Sequence, residues 1–209
     1  MNWRLDIGAA RGDNKNMDLI KTINERRSIR KYRTGAVPDE IVLEILESAR
    51  KAPSWANTQV CRFIVVKDQM VKESLREALA STNPAYQALA EAPLVICVVA
   101  KRGLSGFSKG EARTDKGDWF MFDAGVAMEH IVLAAWNHGL GTVHVGSFDA
   151  KKAEAVLKVP EGYSIVEMTP LGYFDDPTTP RTPRKPLQET VFLNSFGEPF
   201  IPKRAVDSE

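Results

Sequence analysis

Five basic side chains, Arg26, Arg27, Arg30, Lys31 and Arg33, fall within NERRSIRKYR (24–33), in a chain whose formal net charge is only +1. If that segment is extended, side chains alternate, so Arg26, Ser28 and Arg30 share one side and Arg27 and Lys31 the other. Two guanidinium forks around a hydroxyl make an anion cradle, because each fork offers paired donors to phosphate oxygens and the serine adds another. A solvated basic turn is the competing reading on charge alone. A second cluster, KAPSWANTQVCRF (51–63), sets Ser54, Asn57, Thr58 and Gln59 around Trp55. Such amides and hydroxyls can hydrogen-bond a flat heterocycle while the indole packs on it; ordinary turn chemistry is the alternative. The third stretch, GLGTVHVGSFD (139–149), runs helix, glycines, strand, the reverse of the order a dinucleotide fingerprint needs. Gly146 and Ser147 stand at its far end, where a missing Cβ lets a ligand approach the backbone. Gly139 reads as the cap of the preceding helix.

The elements that must position these residues follow from periodicity. Leu19, Ile20 and Ile23 form a short helical stripe ending near Glu25. Pro38 opens a helix with Asp39 and Glu40 in its first turn, where acids suit the positive helix end, and with Ile41, Val42, Ile45, Leu46 and Ala49 on one face. Strands are expected at 62–68 and 94–100, the second buried on both faces, with helical patterns at 69–80 and 84–90 between them. Residues 101–117, rich in glycine and charge, read as a mobile loop or lid. Residues 118–138 form a long helix apolar almost all round, which requires burial in the core or against a partner subunit. A strand at 142–147, a helix at 149–158 and a strand at 163–173 follow. From Phe174 the tail carries Pro177, Pro180, Pro183, Pro186, Pro199 and Pro202, so it is expected to be extended and to wrap something.

Composition narrows the function. With 209 residues and 44% hydrophobic content, the chain suits one domain. Residues 1–16 lack periodicity and read as a loose arm before a single domain at 17–209. The balance of 28 basic against 27 acidic residues argues against a general nucleic-acid binder. No apolar run is long enough to span a bilayer and no secretion signal is visible, so a cytoplasmic protein is expected. Cys61 and Cys97 sit in apolar runs as reduced, buried thiols, and His130, His138 and His144 have no zinc spacing with them, so no metal is expected. No Ser–His–Asp arrangement is indicated.

The order RRSIR, a helix opened by Pro38, APSWANTQ-x-x-RF, DWFMFDAGVAMEHIVLAAWNHGLGTVHVGSFD and PLGYFDDPTTPRTPRKPLQE resembles the nitroreductase family of flavoproteins over residues 17–190. The resemblance implies an α+β fold: a central mixed sheet flanked by helices, with a C-terminal extension (174–209) adding a strand to the partner subunit's sheet. It implies a homodimer with FMN at the interface and NADH or NADPH as co-substrate. Arg26, Arg27, Ser28 and Arg30 would come from one subunit. Arg26 and Ser28 would hold the phosphate and Arg30 would lie near the ring's N1–C2 edge. Pro53, Ser54, Trp55 and Asn57 would come from the other. His144, Val145, Gly146 and Ser147 would line the ring, with the Gly146 N–H near N5, and Arg184, with Arg181, would meet the phosphate. Val60 and Cys61 depart from the family's usual proline and aromatic, and no residue at 83–90 matches the further contact often found there. The implied activity is two-electron transfer from NAD(P)H to a nitroaromatic, quinone or enone by a ping-pong route. A reductive dehalogenase, a flavin-fragmenting enzyme or a non-catalytic flavin-binding protein would share the fold.

Overall fold

Pro38 starts helix α2 (Asp39–Arg50) in the computed structural model of the protein, which describes residues 19–175 and 181–200. The expected arm over 1–16 lies outside the described residues, as do Pro177, Pro180 and Pro202. Asp39 and Glu40 occupy the first turn of α2, and Val42, Ile45 and Ala49 point inward, as the stripe requires. Helix α1 (Leu19–Glu25) forms where expected, but it turns Thr22 inward and leaves Leu19, Ile20 and Ile23 more than half exposed.

The central sheet has four strands in the order β1 (Cys61–Val66), β2 (Leu94–Lys101), β6 (Tyr163–Tyr173), β5 (Leu140–Thr142). All three pairings are antiparallel. The sheet is therefore not mixed among its named strands; among the described residues the parallel element is an isolated bridge between Ser28 and Thr142. Strand β5 is also earlier and shorter than the expected 142–147. Gly139, at φ 71, ends the preceding helix so abruptly that Leu140 already pairs with Tyr173.

Strand β2 is the centre of the core, buried from Leu94 to Ala100. Alternation divides its side chains between two layers. Leu94, Ile96, Val98 and Ala100 join Val42 and Ile45 of α2 and Met128 and Ile131 of α5 (Phe120–Asn137). Val95, Cys97 and Val99 join Leu75 of α3 (Gln69–Arg76), Leu89 of α4 (Tyr86–Glu91) and Ala153 of α6 (Ala150–Val156). A run apolar at every position is what a strand covered on both faces needs. Both cysteines are free, and burial pushes the Cys97 thiol up to about 12, so it stays protonated.

Residues 101–117 are not a featureless mobile loop. They fold into a hairpin, β3 (Phe107–Ser108) and β4 (Glu111–Ala112), joined by Lys109 and Gly110 at φ 52 and 81. Two successive positive φ values make the tight turn whose twist matches a hairpin. Gly106 cannot carry a side chain, since a Cβ there would stand 2.5 Å from Trp119 Cδ1.

The chain divides into two compact units, up to Asp176 and from Pro177. Considered by itself, the second is not simply extended. A 3-10 turn spans Leu187–Glu189, Phe192 bridges Pro199, and the Phe192 and Phe196 rings lie 4.7 Å apart.

Candidate functional site

The basic stretch is extended at Ser28 and Ile29, whereas Arg26 N–H still closes the last turn of α1 on Thr22 O. Ile29 N–H donates to Thr142 O at 2.8 Å, and Ser28 bridges the same residue of β5. Ile29 is buried, so the intervening side chains Ser28 and Arg30 face outward. The approach depends on Gly141, where a Cβ would meet Ile29 Cβ at 2.6 Å. Tyr32, whose hydroxyl donates to the carbonyls of Ile29 and Pro170, fastens the end of the segment to β6. Burial pushes its phenol far above the ordinary range, so it remains a donor.

Arg26 is held from behind. Its Nε donates to Glu129 Oε1 at 3.3 Å, and Glu129 Oε2 lies 3.4 Å from His144 Nε2. His144 Nδ1 in turn lies 2.5 Å from Glu167 Oε1. Hydrogen bonds to Glu129 and Glu167 raise the His144 imidazole to about 9, against the opposing effect of burial. Burial alone would raise the Glu129 carboxyl, but His144 and Arg26 outweigh it and hold the group below the usual carboxylate range. Arg26, Ser28 and His144 are thus gathered at one edge of the sheet. Val145 follows, bridged to Met168, then Gly146, where a Cβ would meet nothing within 4 Å. Asn83 Nδ2 donates to Ser147 O at 3.2 Å, so the 83–90 segment does reach this loop.

Pro53, Ser54, Trp55 and Asn57 assemble elsewhere, around the start of α5. Trp55 N–H donates to Asp123 Oδ1 at 3.0 Å and Ser105 Oγ–H to Asp123 Oδ2 at 2.7 Å. The Trp55 and Trp119 rings are 5.1 Å apart, and Trp119 meets Phe122 edge-on at 5.4 Å. Ala56, Asn57 and Gln59 all have positive φ, at 44, 56 and 50°. For residues with a Cβ this conformation costs about 1–2 kcal/mol each. Hydrogen bonds from Asn57 N–H to Ser54 O and from Gln59 N–H to Ser54 Oγ help hold it. Such strain concentrates at binding sites. Burial, with the nearby charge of Asp123, pushes the Cys61 thiol up to about 11, so the departure from the usual residue there leaves an inert wall. Arg181 and Arg184 are exposed in the second unit, where Arg184 Nη1 donates to Thr182 O.

The sequence reading missed Glu129, Glu167, Asp123 and Asn83. Asp123 and Glu129 carried the available signal: two acidic residues in a helix otherwise almost wholly apolar.

The residues fit a ring-bearing phosphate such as FMN. Ser28 and Arg30 are exposed and make no side-chain hydrogen bond within the described residues, Arg26 keeps its Nη donors, and the space beside Gly146 is open to a flat ligand. A helix-covered antiparallel sheet carrying a basic cradle beside an open glycine defines an α+β protein built to hold a phosphorylated cofactor. The chain belongs to the nitroreductase family, whose model matches residues 23–173. It is 29% identical over 200 residues to an NADH dehydrogenase of Thermus thermophilus, covering 84% of this chain and 95% of that protein. It is 25% identical over 201 residues to iodotyrosine deiodinase 1 of Sus scrofa, covering 85% of this chain and 68% of that one. The structure of an FMN-dependent nitroreductase from Clostridium difficile R20291 matches with a TM-score of 0.70 and 28% identity, over 85% of this chain and 99% of that one.

Proposed function

We propose that the chain is an FMN-dependent oxidoreductase that carries two electrons from NADH or NADPH to an electron-poor small molecule, such as a nitroaromatic, a quinone or an enone. The observation that carries this reading is the outward register of Ser28 and Arg30, with Arg26 clamped beside them, next to the open face at Gly146. Bound FMN supplies the redox chemistry at N5, with nicotinamide and acceptor using the same pocket in turn. The protein binds and orients. Arg26 and Ser28 hold the phosphate, with Arg27 alongside. Arg30 places positive charge at the N1–C2 edge, where it favours two-electron over one-electron reduction. The loop His144–Ser147 lines the ring and offers the Gly146 N–H toward N5.

In this proposal Pro53, Ser54, Trp55 and Asn57 serve the partner's cofactor. Trp55 is tied to Asp123 and Arg26 to Glu129, positions six apart on α5 and so about 120° apart around it. One subunit therefore splits the two halves of the site, and a homodimer would reunite them. Leu19, Ile20, Ile23, Met121 and Phe122, all exposed, supply apolar surface for that contact. Arg184 and Arg181 are further candidates for the phosphate, and a cytoplasmic protein is proposed.

Purified protein mixed with NADH, and separately with NADPH, under nitrogen is expected to lose its flavin colour. A protein that binds FMN but keeps its colour with both nucleotides is a flavin-binding protein without this turnover. One that does not take up added FMN removes the reading altogether. The likeness to the Sus scrofa deiodinase favours a second reading, reductive dehalogenation, in which two electrons and a proton replace a carbon–halogen bond by C–H. Halide release from halophenols, against reduction of nitroaromatics, separates the two.

A further inference from the structure

We propose that Glu129 is a positioning residue of this site: one carboxylate oxygen holds Arg26, the other holds His144, and the pair of contacts fixes both arms that would meet the cofactor. The proposal takes its ligand from the flavin reading above, but the pairing itself does not depend on that reading. Three parts of the chain converge here: the segment after α1, the middle of α5, and the loop after β5. Glu129 Oε1 accepts from Arg26 Nε, which leaves both Nη groups for an anion in front. A guanidinium held by one edge is turned before the ligand arrives, so less rotamer freedom is lost on binding.

His144 has a carboxylate on each ring nitrogen, Glu129 on Nε2 and Glu167 on Nδ1. A neutral imidazole would set a lone pair against one of them, so the arrangement selects the imidazolium, with both nitrogens donating. The charged groups facing it are Glu129 from α5 and Glu167 from β6, with Arg26 behind Glu129. At neutral pH the four side chains sum to zero charge. When His144 loses its proton they become an anionic knot beside a phosphate cradle. Its folded value is raised above the ordinary imidazole value, so the proton is held through neutral pH and lost as pH rises through about 9. Flavin affinity is therefore expected to be flat near neutrality and to fall severalfold above that point.

The test follows the imidazole resonances of the full-length chain by NMR as pH is raised, with His144→Asn identifying the His144 signal. FMN affinity is measured by flavin fluorescence at each pH. The expected His144 midpoint is about 9. Glu129→Gln should lower it by about 1–3 units, the usual effect of losing an adjacent opposite charge. The pH at which FMN affinity falls should move down with it. Glu167→Gln removes the other carboxylate and serves if Glu129→Gln misfolds. A wild-type midpoint near that of a free imidazole, or one unmoved in both variants, overturns the proposal, as does an FMN affinity indifferent to the His144 midpoint. If the midpoints move as expected while no form of the protein binds FMN, the pairing stands and the flavin reading falls.

Discussion

Asp123 and Glu129 sit on the same helix, six residues and about 9 Å apart along its axis, and their surroundings differ in kind. Asp123 is 1% exposed and accepts from a backbone N–H and a serine hydroxyl, both neutral. It ties the strained Trp55–Gln59 turn to the base of the 101–117 hairpin. Glu129 is half-buried, and both of its partners are cations. The first carboxylate fixes geometry; the second also sets the local charge. A carboxylate satisfied by neutral donors cannot lose them without orphaning buried groups, whereas one between partly solvated cations can be replaced by water.

The largest effect should therefore come from Asp123→Ala. It leaves the buried Ser105 hydroxyl and the part-buried Trp55 N–H unpaired, at about 1–3 kcal/mol each, so chemical denaturation should show a loss of about 2–6 kcal/mol. Asp123→Asn keeps one acceptor oxygen and should lose much less. The contrast between the two faces breaks if Glu129→Ala destabilises the fold as strongly as Asp123→Ala.

Arg26→Ala should show the reverse pattern. The Arg26–Glu129 pair is partly solvated, with side chains 24% and 40% exposed, so its loss should change stability by less than about 1 kcal/mol. FMN binding, measured by calorimetric titration, should weaken by about 1.5–3 kcal/mol, the usual contribution of a hydrogen bond to a charged group. Unchanged affinity would remove Arg26 from the cradle.

Most of this architecture could be read from local pattern. Pro38 with two acids after it located α2, and seven apolar residues in a row located β2, because capping and burial leave marks within a few positions. The alternation holds for Ser28 and Arg30 on either side of the buried Ile29, where the chain is extended against β5, but it does not reach Arg26, whose N–H still bonds Thr22 O at the end of α1. What the sequence hid was pairing at a distance. Glu129 meets Arg26 across 103 positions, and nothing near either residue announces the other. The positive φ values of Ala56, Asn57 and Gln59 were hidden for a different reason: glycine usually marks that conformation, and there is none in the turn. The 107–112 hairpin was missed because Lys109 stands in its turn where asparagine or aspartate would have given the signal.

The smallest effect on the scaffold should come from shortening that hairpin, and here the comparison of the two faces becomes sharpest. Replacing residues 108–111 by Gly-Gly removes the exposed tip alone. The base stays, because Ser105 remains hydrogen-bonded to Asp123 and Gly106 still fits beneath Trp119. The cradle on the Glu129 face receives nothing from the tip, so FMN affinity and the His144 titration should match the parent. Stability should change by less than about 0.5 kcal/mol, as expected for exposed residues away from caps and core. The hairpin's flanks rest on the ring cluster of Trp55, Trp119 and Phe122, the aromatic side of the proposed site: Gly106 lies against Trp119, whose Nε1–H donates to Thr114 Oγ1. Steady-state kcat/KM should therefore shift across a panel of quinones and nitroaromatics, most for the bulkiest, because a gating segment acts on what enters and not on what is held. If kcat/KM for every acceptor and for NADH equals the parent value, the hairpin is a plain connection, and acceptor choice rests with the fixed wall at Trp55 and the loop at His144. If FMN affinity falls instead, the two faces of α5 are coupled through the hairpin, and the division between a neutral pin and a charged node is wrong.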